Sequence, residues 1–83
     1  MFEPDLREQL RAACDAWVEL VAGRIREGLE DGSIRAGADP QAAAERLTAT
    51  VDGLSARWLA GLLERDHARD LLAGAVCNEL APQ

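Results

Sequence analysis

The chain has 83 residues, with 15 acidic and 9 basic side chains and a formal charge of −6, a length that allows one domain, residues 1–83, and no more. That sign is wrong for displacing counterions from nucleic acid or for meeting an anionic membrane, and no basic stripe offsets it. Residues 1–20 are charged throughout, so they read as no signal peptide, and no stretch reaches the ~20 apolar residues of a membrane span; the expected location is cytoplasmic.

Hydrophobic residues make up 48% of the chain, too many for disorder. Much of that fraction is alanine, which covers little area, and the aromatics are Phe2, Trp17 and Trp58 alone. A domain this small buries only about 60% of its unfolded surface, and a partner subunit is one of the usual staples for so light a core. Cys14 and Cys77 read as reduced thiols serving as small hydrophobes, with a disulfide as the alternative. With one histidine and neither a CxxC nor an HExxH spacing, neither a metal site nor a cofactor is expected.

In chain order, Glu3-Pro4-Asp5 announces a first helix, because proline is tolerated and acids are favoured in a first turn. Leu6, Leu10, Ala13, Trp17, Val21 and Ile25 then recur at steps of three and four, one face of a helix ending near Leu29. Gly32 reads as its stop. Residues 31–39 form a loop holding two glycines, with Ile34 as the apolar plug onto the core. Asp39-Pro40, an N-cap followed by proline, opens a second helix running to about Leu63. Asp66 is the expected cap of a third helix, which continues from His67 to about Leu80.

The second helix is unusual on a wheel of about 100° per residue. Leu47, Val51, Leu54, Trp58 and Leu62 gather on one face. Ala42, Ala49, Gly53, Ala56 and Ala60 gather opposite, with polar strips (Glu45, Thr48, Asp52 and Ser55; Arg46, Thr50 and Arg57) between. A surface helix needs one apolar stripe; the second stripe either admits another helix at close range or reflects an alanine-rich composition. Gly53, costing roughly 1 kcal/mol in mid-helix, favours close approach. Ala68, Leu71, Leu72, Ala75, Val76 and Leu80 cover over half of the third wheel. The short link after the second helix makes the last two antiparallel neighbours. The expectation is therefore an all-α, three-helix antiparallel arrangement. Its last two helices complete a four-helix bundle with a two-fold partner, a homodimer.

The order of motifs is also informative. Ile25-Arg-Glu-Gly-Leu-Glu-Asp-Gly-Ser-Ile-Arg-Ala-Gly-Ala-Asp-Pro40 is followed by Ala43-Ala44-Glu-Arg-Leu-Thr-Ala-Thr-Val-Asp-Gly-Leu54. A helix ending I-x-x-G-x-x-D-G-x-I-R, then D-P-x-x-A-A, then an apolar helix with D-G-L, resembles the C-terminal regulatory domain of TetR-family transcriptional repressors, in its BetI-type branch. The resemblance spans roughly residues 18–80. It implies that residues 40–63 and 66–81 correspond to the family's dimer-forming helices and residues 4–31 to the helix before them, along a pocket for a small-molecule effector. It also implies that DNA is reached only through a helix-turn-helix domain, and no such sequence stands in this chain, which resembles the C-terminal part of a longer regulator.

The candidate interface is Ala49, Gly53, Ala56 and Ala60 with Leu72, Ala75 and Val76. The candidate ligand residues are Cys14, Trp17, Val21 and Trp58, although both tryptophans read first as core residues. His67 reads as solvent-facing and Glu64, Arg65, Asp66 and Arg69 as a solvated charge cluster. No nucleophile, base and orienter can be assembled, so no enzyme is expected; Asp52 is the one acid flanked by apolar helix surface. The leading expectation is a dimerisation and effector-response domain of a TetR-like regulator. The alternative is a stand-alone helical module that heterodimerises with an intact regulator and titrates it.

Overall fold

The computed structural model describes residues 5–82; the helix signal at Glu3-Pro4 lies outside them. Three helices follow one another: α1 (Leu6–Asp31), α2 (Pro40–Leu59) and α3 (Arg65–Leu80), and no strand occurs among the described residues.

Each helix boundary has a local cause. Asp5 caps α1, its carboxylate accepting from the Arg7 amide at 3.0 Å. Gly32 ends it in the left-handed region at φ 82°. Asp39 caps α2 by accepting from the amides of Gln41 at 3.1 Å and Ala42 at 3.2 Å, with Pro40 at the first helical position. The end of α2 comes four residues before the expected Leu63. Gly61 adopts φ 76°, its amide donates to the Trp58 carbonyl at 3.0 Å and the Leu62 amide donates to the Arg57 carbonyl at 2.9 Å. Those two bonds are the paired closures of a Schellman motif. Leu62, expected on the large face of α2, is thereby swung into solvent, 74% exposed. At α3 the expected cap is also displaced: Glu64 takes the N-cap position without a side-chain bond, and Asp66 falls inside the first turn.

Packing centres on α2, which touches both α1 and α3. The buried cluster joins Ala22 and Ile25 of α1 to Ala43, Ala44 and Leu47 of α2, with Val18, Val21, Leu29, Ile34, Ala75 and Leu80 packed around it. Ala43 and Ala44 are the small residues of α2 that are buried against α1. Thr48, expected in a polar strip, is buried there too, and its hydroxyl donates back to the Ala44 carbonyl at 2.9 Å. Ile34 plugs the loop as expected: its side chain lies over Gly28, where an added Cβ would collide with the Ile34 Cδ1 and Cγ1.

The end of α3 is tied to that loop. The Arg35 amide donates to the Leu80 carbonyl and its guanidinium to the Glu79 carbonyl, both at 2.9 Å. Arg46, early in α2, grips the Glu79 carboxylate through two nitrogens, Nε at 2.5 Å and Nη2 at 2.8 Å. A bidentate pair of this geometry fixes direction as well as distance. It holds the Glu79 carboxyl below its ordinary value, chiefly through the Arg46 hydrogen bond, with burial opposing and the Arg35 charge assisting.

Both tryptophans depart from expectation. Trp17 is 50% and Trp58 49% exposed, because the cluster that excludes water lies around Ile25 and Leu47, toward the loop end of the molecule. Cys14 and Cys77 are free and exposed, not buried as small hydrophobes.

Candidate functional site

The sequence-predicted residues fall into three places. Ala49, Gly53, Ala56 and Ala60 lie together on the open side of α2, and all four are exposed. No atom comes within 4 Å of a Cβ built on Gly53, so nothing in this copy uses the closeness that a glycine permits. Val76 is exposed as well, whereas Leu72 and Ala75 are half-buried, Leu72 in a groove toward α2 and Ala75 against the core cluster.

The ligand candidates are not gathered into one site. Cys14 and Trp17 share a groove of about 240 Å³ between α1 and α2 with Leu10, Ala13, Thr48 and Asp52. Val21 packs against the core cluster instead. Trp58 lines a second groove of about 130 Å³ between α2 and α3, with Val51, Leu54, Ser55, Arg65, Ala68, Arg69 and Leu72.

The first groove has apolar walls and two kinds of polar handle, the Trp17 indole and the Asp52 carboxylate. Thr48 and Asp52 belong to the polar strip of α2, and Asp52 is the acid flanked there by apolar helix surface. Their spacing of four, one turn beyond the buried Ala44, is the signal that places them beside α1. The second groove follows from the spacing Arg65, Ala68, Arg69 and Leu72 along one face of α3. Neither arginine makes an ion pair among the described residues; the four ion pairs there use Arg11, Arg24, Arg26 and Arg46. His67 is exposed as expected. Among the described residues, no three His, Cys, Asp or Glu side chains gather in a way that could hold a metal ion, and no helix is long and apolar enough to cross a membrane.

Residues 1–81 match the family described as BetI-type transcriptional repressor, C-terminal. The chain belongs to that family. The match takes in all three helices, the Gly28–Ile34 plug and the Arg35 and Arg46 ties, so residues 5–81 form the C-terminal regulatory domain of a TetR-family repressor. No curated protein and no solved structure matches the chain.

Proposed function

We propose that this BetI-type domain pairs with a second copy and couples binding of a small effector to the geometry of that pair. One observation supports the pairing above all. The helices measure 53 × 30 × 14 Å along the principal axes, with a radius of gyration of 15.2 Å, where a compact chain of this length has about 12 Å. The accessible surface is 6305 Å², against about 4,800 Å² for a compact monomer of this mass. The excess, about 1,500 Å², falls within the range that one partner of an obligate homodimer buries.

Much of that surface is oily, including Leu59, Leu71 and Val76 on the last two helices. In the proposed pair, α2 and α3 run antiparallel, a reading supported by the Arg46–Glu79 bond between the start of one and the end of the other. Two such hairpins close a two-fold four-helix bundle, with Ala49, Gly53, Ala56 and Ala60 at the near contact. The effector site is the α1–α2 groove with Cys14 and Trp17. A ligand there acts by preferring one arrangement of α1 on α2 over another. In a complete repressor that preference sets the spacing of the two DNA-reading heads.

Light scattering and sedimentation velocity at micromolar concentration test the pairing. A two-fold mass is expected; a well-folded monomer at these concentrations overturns the proposal.

A further inference from the structure

We propose that the α2–α3 groove binds a small organic anion, a carboxylate carried on an apolar body about the size of one aromatic ring. This site is separate from the α1–α2 groove and does not depend on the effector reading given to that groove.

Size comes first. The groove offers about 130 Å³ and is open to solvent along one side, so it seats one face of a small ring and does not enclose it. Its walls are Val51, Leu54 and Leu72, and the half-exposed Trp58 ring offers a face for stacking.

Charge decides the ligand class. In a chain of net charge −6, Arg65 and Arg69 line this groove and have no carboxylate partner among the described residues. Asp66 and Asp70 are one residue further along α3, about 100° around its axis, and do not line the groove. Glu64 is near Arg65 in sequence and forms no ion pair with it either. Like charges four apart on a helix repel, and cations in a first turn oppose the helix dipole. Both arginines are exposed and line the groove on successive turns of α3, where an anion offsets their mutual repulsion. Guanidinium is also the side chain that matches a planar carboxylate with paired hydrogen bonds. The α2 wall of the groove, Val51, Leu54 and Trp58, lies opposite Ala49, Gly53, Ala56 and Ala60, so covering those four leaves that wall open; Leu72, its α3 wall, is half-buried against α2 and not part of that face.

The test uses benzoate as the probe. In Trp17→Phe, Trp58 is the sole tryptophan, and its emission reports on the groove; calorimetry on the unmodified chain gives an independent readout. Saturable benzoate binding is expected, weakened about tenfold or more in the Arg65→Gln/Arg69→Gln double variant. Benzyl alcohol, the same ring without the charge, is expected to bind at least tenfold more weakly. The proposal is overturned by the absence of saturable binding, by equal affinity for benzoate and benzyl alcohol, or by an unchanged affinity in the double variant. It is also overturned if the double variant lowers the mass seen by light scattering while benzoate leaves Trp58 unmoved, since the groove then belongs to the partner. Loss of the dimer in the unmodified chain, with benzoate binding intact, would instead count only against the pairing.

Discussion

Gly53→Leu is the substitution on which a single copy and a pair of copies disagree in sign. A Cβ at position 53 meets nothing within 4 Å in one copy. There, leucine removes the conformational cost of a mid-helix glycine and stabilises by somewhat under ~1 kcal/mol, raising the melting temperature by up to about 4–8 °C for a domain of this size. If Ala49, Gly53, Ala56 and Ala60 meet the same residues of a second copy, the added side chain overpacks that contact at about 1–3 kcal/mol each. Two-fold symmetry inserts it twice. The sum, about 2–6 kcal/mol, weakens dimerisation roughly 30-fold to 10⁴-fold, because the helix gain is common to monomer and dimer and cancels. Sedimentation over a concentration series gives the dissociation constant, and a urea melt gives the stability of the monomer. Weaker pairing with a more stable monomer is expected. A dimer as tight as the unmodified one places the contact elsewhere and refutes the reasoning about the small-residue face.

Gly28→Ala acts on the loop plug, since the new Cβ collides with Ile34 Cδ1 and falls 2.7 Å from Cγ1. An overpacking cost of about 1–3 kcal/mol outweighs the helix gain. The sign should reverse in an Ile34→Ala background, which a double-mutant cycle by urea denaturation checks. Asp39→Ala removes the acceptor for two amides at the start of α2 and should cost about 1 kcal/mol, whereas Asp39→Asn should cost far less. Glu79 supplies a pH test. Its folded carboxyl titrates below the ordinary 4.5, chiefly because of the Arg46 hydrogen bond. The stability it contributes is therefore complete above pH 4.5 and is lost as pH falls through the lowered folded value. The urea-midpoint gap between the unmodified chain and Glu79→Gln should shrink across that window; a gap constant from pH 7 to pH 3 would refute the assignment.

The helix count, the Gly32 stop, the Asp39-Pro40 start and the Ile34 plug were all legible in the sequence, because each rests on a property of one or two adjacent residues. What failed depended on the surroundings. Gly61 was passed over because apolar residues continue through Leu62 and Leu63, and periodicity alone does not weigh a glycine against them. Trp17 and Trp58 read first as core residues, yet a core needs neighbours on both sides, which only the loop end provides. Length explains the rest. With 26 residues α1 extends about 39 Å and α2, with 20, about 30 Å. The first turns of α1 lie beyond the buried cluster around Ile25 and Leu47, so Leu6 and Leu10 remain exposed, Leu10 on the rim of the α1–α2 groove. The candidate site was half legible for the same reason: a wheel places Cys14 and Trp17 on one face but does not say that Thr48 and Asp52 face them.

The position of Thr48 and Asp52 bears on how an effector would be sensed. They line the α1–α2 groove, and the residues immediately after them, Ala49 and Gly53, belong to the open small-residue face. Groove and face thus occupy the same two turns of α2, about 11 Å of helix, and a shift of α2 at one moves the other without an intervening chain of contacts. Coupling of this kind is reciprocal in free energy, so pairing should alter the groove as much as a ligand in the groove alters pairing. Cys14 supplies the probe once Cys77, also exposed, is replaced in Cys77→Ser. Its labelling rate, followed across a dilution series, should change with the midpoint of dimer dissociation. In Gly53→Leu that midpoint should move to higher protein concentration. A labelling rate that stays flat while the mass halves would show that the groove and the face of α2 are energetically independent.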